Sequence, residues 1–266
     1  LAIKVASTNA ARYFRLNNRG AIALGYLADF VIINNFEEFT VEQVYKKGKL
    51  MFSGGKFKDF KAPPVDEFLT ERAHSTFKVD RLTPEAFKID RPRGVLGMVS
   101  GELITTDEGY ATGVDIDKDI LKIAVVERHN YTGHIGIGYI KGYGLKSGAV
   151  ATSISHDSHN IIVVGTNDGD MAAAVNHIAE NGGGITVFDG GKCIGDVKLE
   201  IAGLMSEAPL VDVNKNLEDA KVKAFELGVS KLIDPFMTLS FMSLPVIPKL
   251  RLTTRGVFDV ESQSYV

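Results

Sequence analysis

The sequence has no tryptophan and a single cysteine, Cys193. One cysteine closes no internal disulfide, so the fold must hold by packing alone, and this usage suits a reducing compartment. Neither sign of charge dominates: 30 lysines and arginines stand against 33 aspartates and glutamates, a net of −3. Without a basic surplus there is no electrostatic footprint for nucleic acid, and no polybasic block faces a membrane. No apolar run approaches the roughly 20 residues that cross a bilayer, and the first residues lack the basic start of a secretory signal. The expected location is the cytoplasm. Histidine is scarce, six in 266 residues, yet four of the six fall between Glu127 and Asn160.

What is abundant is apolar: 45% of the residues are hydrophobic, enough for a substantial core in one or two domains. The chemically densest stretch runs from Ala151 to Asp170. There Ser155-His156-Asp157-Ser158-His159-Asn160 precedes the apolar run Ile161 to Val164, which reads as a buried strand. Thr166-Asn167-Asp168 offers helix N-cap chemistry, and Met171, Ala174, Val175 and Ile178 then recur at helical spacing before Gly182. The polar cluster therefore sits at a strand end, where sites are commonly built. His156 and His159, three apart, have metal-ligand spacing, but a capping or turn role competes evenly. Glu127-Arg128-His129 closes another strand, Leu121 to Val126, and is also readable as a plain ion pair. His177 lies off the apolar face of its helix and is expected in solvent.

Along the rest of the chain, Ile3, Ala6, Ala10 and Tyr13 fall at helical spacing, with Thr8 placed to cap a second short helix. Phe30 to Ile33 is a buried run, and Lys47-Gly48 and Asp189-Gly190-Gly191 are hairpin turns. Asp29 reads as a carboxylate that holds a turn. Residues 61–93, with Pro63, Pro64, Pro84 and Pro92, read as a linker that carries a helix over Val65 to Thr70. Asp115, Asp117 and Asp119 alternate as calcium ligands do, but no glycine follows at the sixth position and Val126 stands where a calcium loop needs Glu, so they are a solvated turn. Gly136/Gly138 and Gly142/Gly144 give G-x-G twice without the G-x-x-G continuation of a dinucleotide site. Such glycines admit a second backbone or a flat ligand. Leu217, Ala220, Ala224 and Leu227 form a helix face started by Asn216 and closed by Gly228. The apolar tail from Asp234 to Lys249, broken by Pro235, Pro245 and Pro248, is expected as extended chain and short turns.

Several of these stretches carry a resemblance. Glu127-Arg128-His129, the run from Gly133 to Gly142, Ser155 to Asn160 and the tail Pro235-Phe236-Met237-Thr238-Leu239-Ser240-Phe241 together resemble the C-terminal domain of the adenine deaminase family, in the amidohydrolase superfamily. Nearer the start, the pattern of Gly20, Ile22, Gly25, Ala28 and Asp29 is similar to the superfamily's return from barrel to β-sandwich, and Thr8 to Ala11 to the helix after the last barrel strand. Proline is common where Ala10 stands, a departure of small consequence.

The resemblance implies an α+β chain: residues 1–16 as the last helix of a metal-dependent barrel, 17–60 as part of a β-sandwich, and, beyond the linker 61–93, residues 94–266 as a C-terminal α/β-type domain with a mainly antiparallel sheet and flanking helices. It implies hydrolysis of free adenine to hypoxanthine and ammonia, in purine salvage, by a homo-oligomer. The manganese or iron of such an enzyme would be bound by an N-terminal barrel, since the superfamily's His-x-His pair does not occur here and a barrel takes about 250 residues. The start at Leu1, inside helical sequence, points the same way, to a fragment inactive alone. No metal is assigned to this chain. Glu127, His129, His156, Asp157 and His159 are the candidate catalytic residues, with Arg128, His134 and Ser158 as substrate-positioning groups. The competing readings are a binding or dimerisation module without chemistry, and a related hydrolase of cyclic amides.

Overall fold

The computed structural model describes residues 1–58 and 63–266, and the chain divides into two compact units, Leu1–Pro64 and Val65–Val266. The expected boundary between residues 60 and 61 lies outside the described residues.

The first unit opens with α1 (Ala2–Lys4), a π-helical turn (Val5–Asn9) and α2 (Ala10–Tyr13). The helical torsions run through Asn9, so Thr8 starts no second helix; its hydroxyl instead donates to the Gly20 carbonyl at 2.7 Å. Gly20 is required there: at φ 81° a Cβ would lie 2.6 Å from the Ala11 Cβ. Strands β1 (Phe30–Ile33), β2 (Val41–Lys46), β3 (Lys49–Ser53) and β4 (Lys56–Phe57) form an antiparallel meander in that order. Asp29 binds Arg19 at 2.6 Å, Lys46 at 2.8 Å and the Lys47 amide at 2.7 Å, which pins the β2–β3 turn as the sequence suggests.

The second unit is built on an eight-stranded sheet: β5 (Arg93–Met98), β6 (Thr105–Ala111), β7 (Ile120–Val126), β8 (Ile135–Lys141), β9 (Ala149–Thr152), β10 (Ile161–Gly165), β11 (Gly184–Asp189) and β12 (Lys192–Lys198). Their spatial order is β12-β11-β9-β10-β7-β8-β5-β6, antiparallel throughout except for the pair β5–β8. This is the mainly antiparallel α+β sheet that the sequence led us to expect.

The central strands are apolar on both sides because both faces are covered. In β10, Ile161 and Val163 pack with Met171, Val175 and Ile178 of α4 (Asp168–Glu180), while Ile162 and Val164 join the opposite core. That second core includes Ala220 and Ala224 of α5 (Leu210–Glu226), Phe236 and Leu239 of α6 (Pro235–Phe241), and Leu250, Leu252 and Val257 of a three-stranded sheet, β13 (Leu250–Thr253), β14 (Gly256–Asp259) and β15 (Ser264–Tyr265). Asn167 caps α4 by accepting from the Asp170 amide at 2.8 Å.

Three local expectations change. Helix α5 starts at Leu210, six residues before Asn216, and its first turn projects Leu210 and Val211 into solvent, so the amphipathic signal begins later than the helix does. The tail is not merely extended: Pro235 occupies the first helical turn, where its missing N–H costs nothing, and Asp234 caps α6 through the Phe236 and Met237 amides. The helix expected over Val65 to Thr70 is α3 (Glu67–His74), four residues longer at its C-terminal end, and the stretch after it is packed rather than a free linker: a short 3-10 turn, Pro84–Phe87, buries Phe87 fully, and Asn176 of α4 bonds both the amide and the carbonyl of Leu82.

Candidate functional site

The β9–β10 turn, residues 153–160, and the β7–β8 connection, residues 127–134, meet at one end of the sheet because β7 pairs with both β8 and β10 and all three end together: Val126 lies opposite Ile135 and Ile161. Topology therefore brings both histidine-rich segments together, beside the C-terminal end of α6. His156 donates its amide to the Ser240 carbonyl at 2.8 Å, and the Ser243 hydroxyl donates to the His156 carbonyl at 3.1 Å. The His156 ring lies 4.7 Å from the Phe241 ring and meets His159 edge-on at 5.7 Å.

The structure sorts the eight expected residues into different jobs. Glu127 is a turn holder: its carboxylate accepts from the amides of His129, Asn130 and Thr132 and from the Thr132 hydroxyl. Partial burial works to raise its pKa, but these donors outweigh it and the net shift is downward. Arg128 is only 2% exposed. Its guanidinium donates to the carbonyls of His159 and Ala202, and at 3.4 Å to the Thr76 hydroxyl, and lies 4.2 Å over the Phe77 ring. Burial lowers its pKa to about 10.

His129 reaches the Ser158 carbonyl through Nε2 at 2.7 Å and so joins the two loops, whereas the His134 side chain is exposed and enters no hydrogen bond among those described. The His159 backbone is left-handed, φ 49°, and its Nδ1 is buried without a partner. Desolvation, with the neighbouring His156 and Arg128 adding, depresses its pKa, so the ring is neutral at pH 7. Asp157 and Ser158 are exposed on the rim of a cleft of about 340 Å³, a size suited to a small planar ligand. Asn160, Ser243, Pro245 and Thr253 complete much of its wall.

Phe241 and Ser243 were not among the sequence candidates. Their segment was visible as an apolar, proline-broken tail, and for Phe241 as part of the resemblance, but nothing in Met-Thr-Leu-Ser-Phe-Met-Ser tells which way a short helix faces. The glycine pairs also resolve. Gly136 and Gly138 admit the protein's own chain rather than a flat ligand: a Cβ on Gly136 would lie 1.8 Å from the Thr253 carbonyl oxygen, and one on Gly138 would lie 2.6 Å from Val257. Gly142 and Gly144 donate their amides to Asp119 at 3.0 and 2.8 Å, so this aspartate anchors a loop and is no mere solvated turn residue. His177 is likewise not in free solvent: it lies 3.1 Å from Asp196 and its side chain is 28% exposed.

Residues 100–264 match the adenine deaminase C-terminal domain family, and residues 1–51 match the amidohydrolase family. The chain belongs to the adenine deaminase C-terminal domain family. Among curated members, adenine deaminase 2 of Carboxydothermus hydrogenoformans is 43% identical over 275 residues, covering 99% of this chain and 47% of that protein. An adenine deaminase of Petrotoga mobilis is 42% identical over 281 residues, covering 100% and 48%. That of Bacillus licheniformis is 38% identical over 272 residues, covering 100% and 47%. The chain thus spans about half the length of the curated adenine deaminases it matches. No helix among the described residues is long and apolar enough to cross a membrane.

Proposed function

We propose that this chain is the C-terminal part of a metal-dependent adenine deaminase that hydrolyses free adenine to hypoxanthine and ammonia in purine salvage, in the cytoplasm. The observation that carries the reading is the whole-chain similarity to adenine deaminases at about 40% identity. In this reading the first unit supplies the last barrel helix and part of the β-sandwich, in keeping with its match to the amidohydrolase family and with exposed apolar residues such as Ile22 and Leu24. The complete protein is proposed to be a homo-oligomer.

Membership implies a divalent metal, which we take to be manganese or iron. The imidazole cluster does not fit it: among the described residues, no three donors of that cluster lie close enough to share an ion. His129 is committed to the Ser158 carbonyl and His156 is packed on Phe241. In this reading the reaction's metal belongs to a barrel outside residues 1–266, as the resemblance implies, and the role of this chain is to receive and orient the purine.

Within that role, a neutral His159 is suited to accept a proton, and Asp157 and Ser158 at the cleft rim to bind the base edge. Phe241 and His156 offer aromatic faces. Arg128, Glu127 and His129 position the two loops. The test is a deaminase assay on a polypeptide that joins this chain to a metal-bearing barrel, with adenine and manganese or iron. Equal yields of hypoxanthine and ammonia are expected, with none from residues 1–266 alone; absence of adenine-dependent ammonia from the joined protein sinks the proposal.

A further inference from the structure

A second group of metal-ligating side chains lies away from the β9–β10 turn, where α4 ends over the edge strand β12. His177 is in the last turn of α4 and Asn181 ends that helix, four residues on and therefore on the same face. Cys193 and Asp196 are three apart in β12, a spacing that in a regular strand puts side chains on opposite faces. Here it does not. Val187 pairs with Gly195 and Phe188 with Cys193, so Ile194 is an extra residue and the strand is bulged. Asp196 is then opposite Thr186 and Cys193 opposite Phe188, and since Thr186 and Phe188 share a face, so do Cys193 and Asp196.

The result is a converging set of donors. His177 Nε2 lies 3.1 Å from Asp196 Oδ1 and 3.8 Å from Cys193 Sγ, and the three ligand atoms all fall within 4.8 Å of one another. Tetrahedral zinc with one sulfur, one nitrogen and one oxygen ligand sets those atoms roughly 3.4–3.6 Å apart. The amide of Asn181 is 2.9 Å from the same Nε2. As placed, Nε2 would have to donate to the carboxylate and accept from the Asn181 N–H; turning the Asn181 amide by 180° resolves this, since its oxygen then accepts. With an ion bound, Nε2 presents its lone pair, Asp196 and the Cys193 thiolate supply negative charge, and the same turned amide offers its oxygen. The Thr186 hydroxyl, 3.4 Å from Sγ, is placed to donate to the thiolate, the kind of outer contact that tunes metal sites.

We propose that His177, Cys193 and Asp196, with the Asn181 amide or a water as fourth ligand, bind one thiophilic divalent cation of the zinc class. Sulfur, imidazole and carboxylate donors select such an ion over magnesium or calcium. Binding releases the Cys193 thiol proton to solvent. The ion clamps the end of α4 to the sheet edge and takes no part in hydrolysis; the proposal stands whether or not the chain serves a deaminase.

The test uses the complete polypeptide, stripped with chelator and titrated with cobalt(II) and then zinc. The expected result is a thiolate-to-cobalt charge-transfer band that saturates at one equivalent, disappears on adding zinc and is missing in Cys193→Ser. His177→Ala and Asp196→Ala should each weaken binding by about 100-fold or more, since even outer-shell losses cost about 10–100-fold. In the unmodified protein, micromolar zinc should slow alkylation of Cys193 by about tenfold or more, because a metal-bound thiolate is withdrawn from solution chemistry. An identical cobalt spectrum in wild type and Cys193→Ser, or an alkylation rate indifferent to zinc, overturns the proposal.

Discussion

Replacing Arg128 with methionine tests whether this residue holds the site together or touches substrate. Methionine keeps an unbranched stem of similar length but no donors. The His159 and Ala202 carbonyls would lose their guanidinium partners, at about 1–3 kcal/mol for each group left unsatisfied. The face-on contact with Phe77 would be lost too, at about 0.5–2 kcal/mol. Offsetting this, the variant no longer holds a cation out of water, a cost of several kcal/mol for a buried charge. The balance is a net loss of about 2–4 kcal/mol, which for a unit of this size lowers the melting midpoint by about 5–12 °C. Thermal unfolding followed by circular dichroism or calorimetry reads it. Arg81→Met is the control, since its pair with Glu180 is exposed on both sides and such pairs contribute about 0–1 kcal/mol. Arg128→Lys keeps the charge without the fork and should recover less than half of the loss. A variant Arg128→Met that melts with the wild type while the joined enzyme loses affinity for adenine would refute the clamp and return Arg128 to the substrate.

Three other expectations follow from the same geometry. In the joined enzyme, His159→Ala should lower turnover by about 100-fold with native folding if the neutral ring takes a proton, and unchanged turnover would make it a turn residue only. The pH dependence of stability has a definite sign: His159 has a depressed pKa, so the fold resists its protonation and stability falls as pH drops below about 6.5 toward the folded value, while Glu127, also depressed, adds a further loss below about 4.5. Unfolding measured from pH 8 to 2 should show the first loss removed by His159→Gln and the second by Glu127→Gln. Asp119→Ala frees two loop amides and should cost about 1–2 kcal/mol in urea unfolding; a cost near zero would mean the Gly142–Gly144 loop is held by other contacts.

Where a residue's neighbours in sequence settle its environment, the sequence was readable. The run Ile161 to Val164 is apolar at every position, and only a strand covered on both faces wants that. Asp189-Gly190-Gly191 needs left-handed glycines and has them, at φ 57° and 76°. Helix α5 is where such patterns stop. Periodicity reports burial, so a helix that begins before it reaches the sheet begins before its signal.

The candidate site was readable in a narrower sense. The sequence located the imidazoles, and the pairing of β7 with β8 and β10 does bring them to one end of the sheet. What each side chain does there depended on contacts made across long separations. Arg128 is neutralised as a surface group by Thr76, Phe77 and Ala202, residues 51 to 74 positions away that no local pattern connects to it. The donors around Cys193 are hidden in the sequence for the same reason. Read as a regular strand, Cys193 and Asp196 face apart; a single unpaired residue, Ile194, reverses that and turns both toward His177. Gly195 was the available signal, since glycine inside a strand often marks a bulge. Here its missing side chain also makes room for α5, for a Cβ would come within 3.0 Å of the Ala220 backbone. A bulge kept in place by helix packing on one face and used to gather donors on the other joins the stability of the sheet edge to the proposed ion. Gly195→Ala should therefore weaken zinc binding and helix packing together, although it alters no ligand.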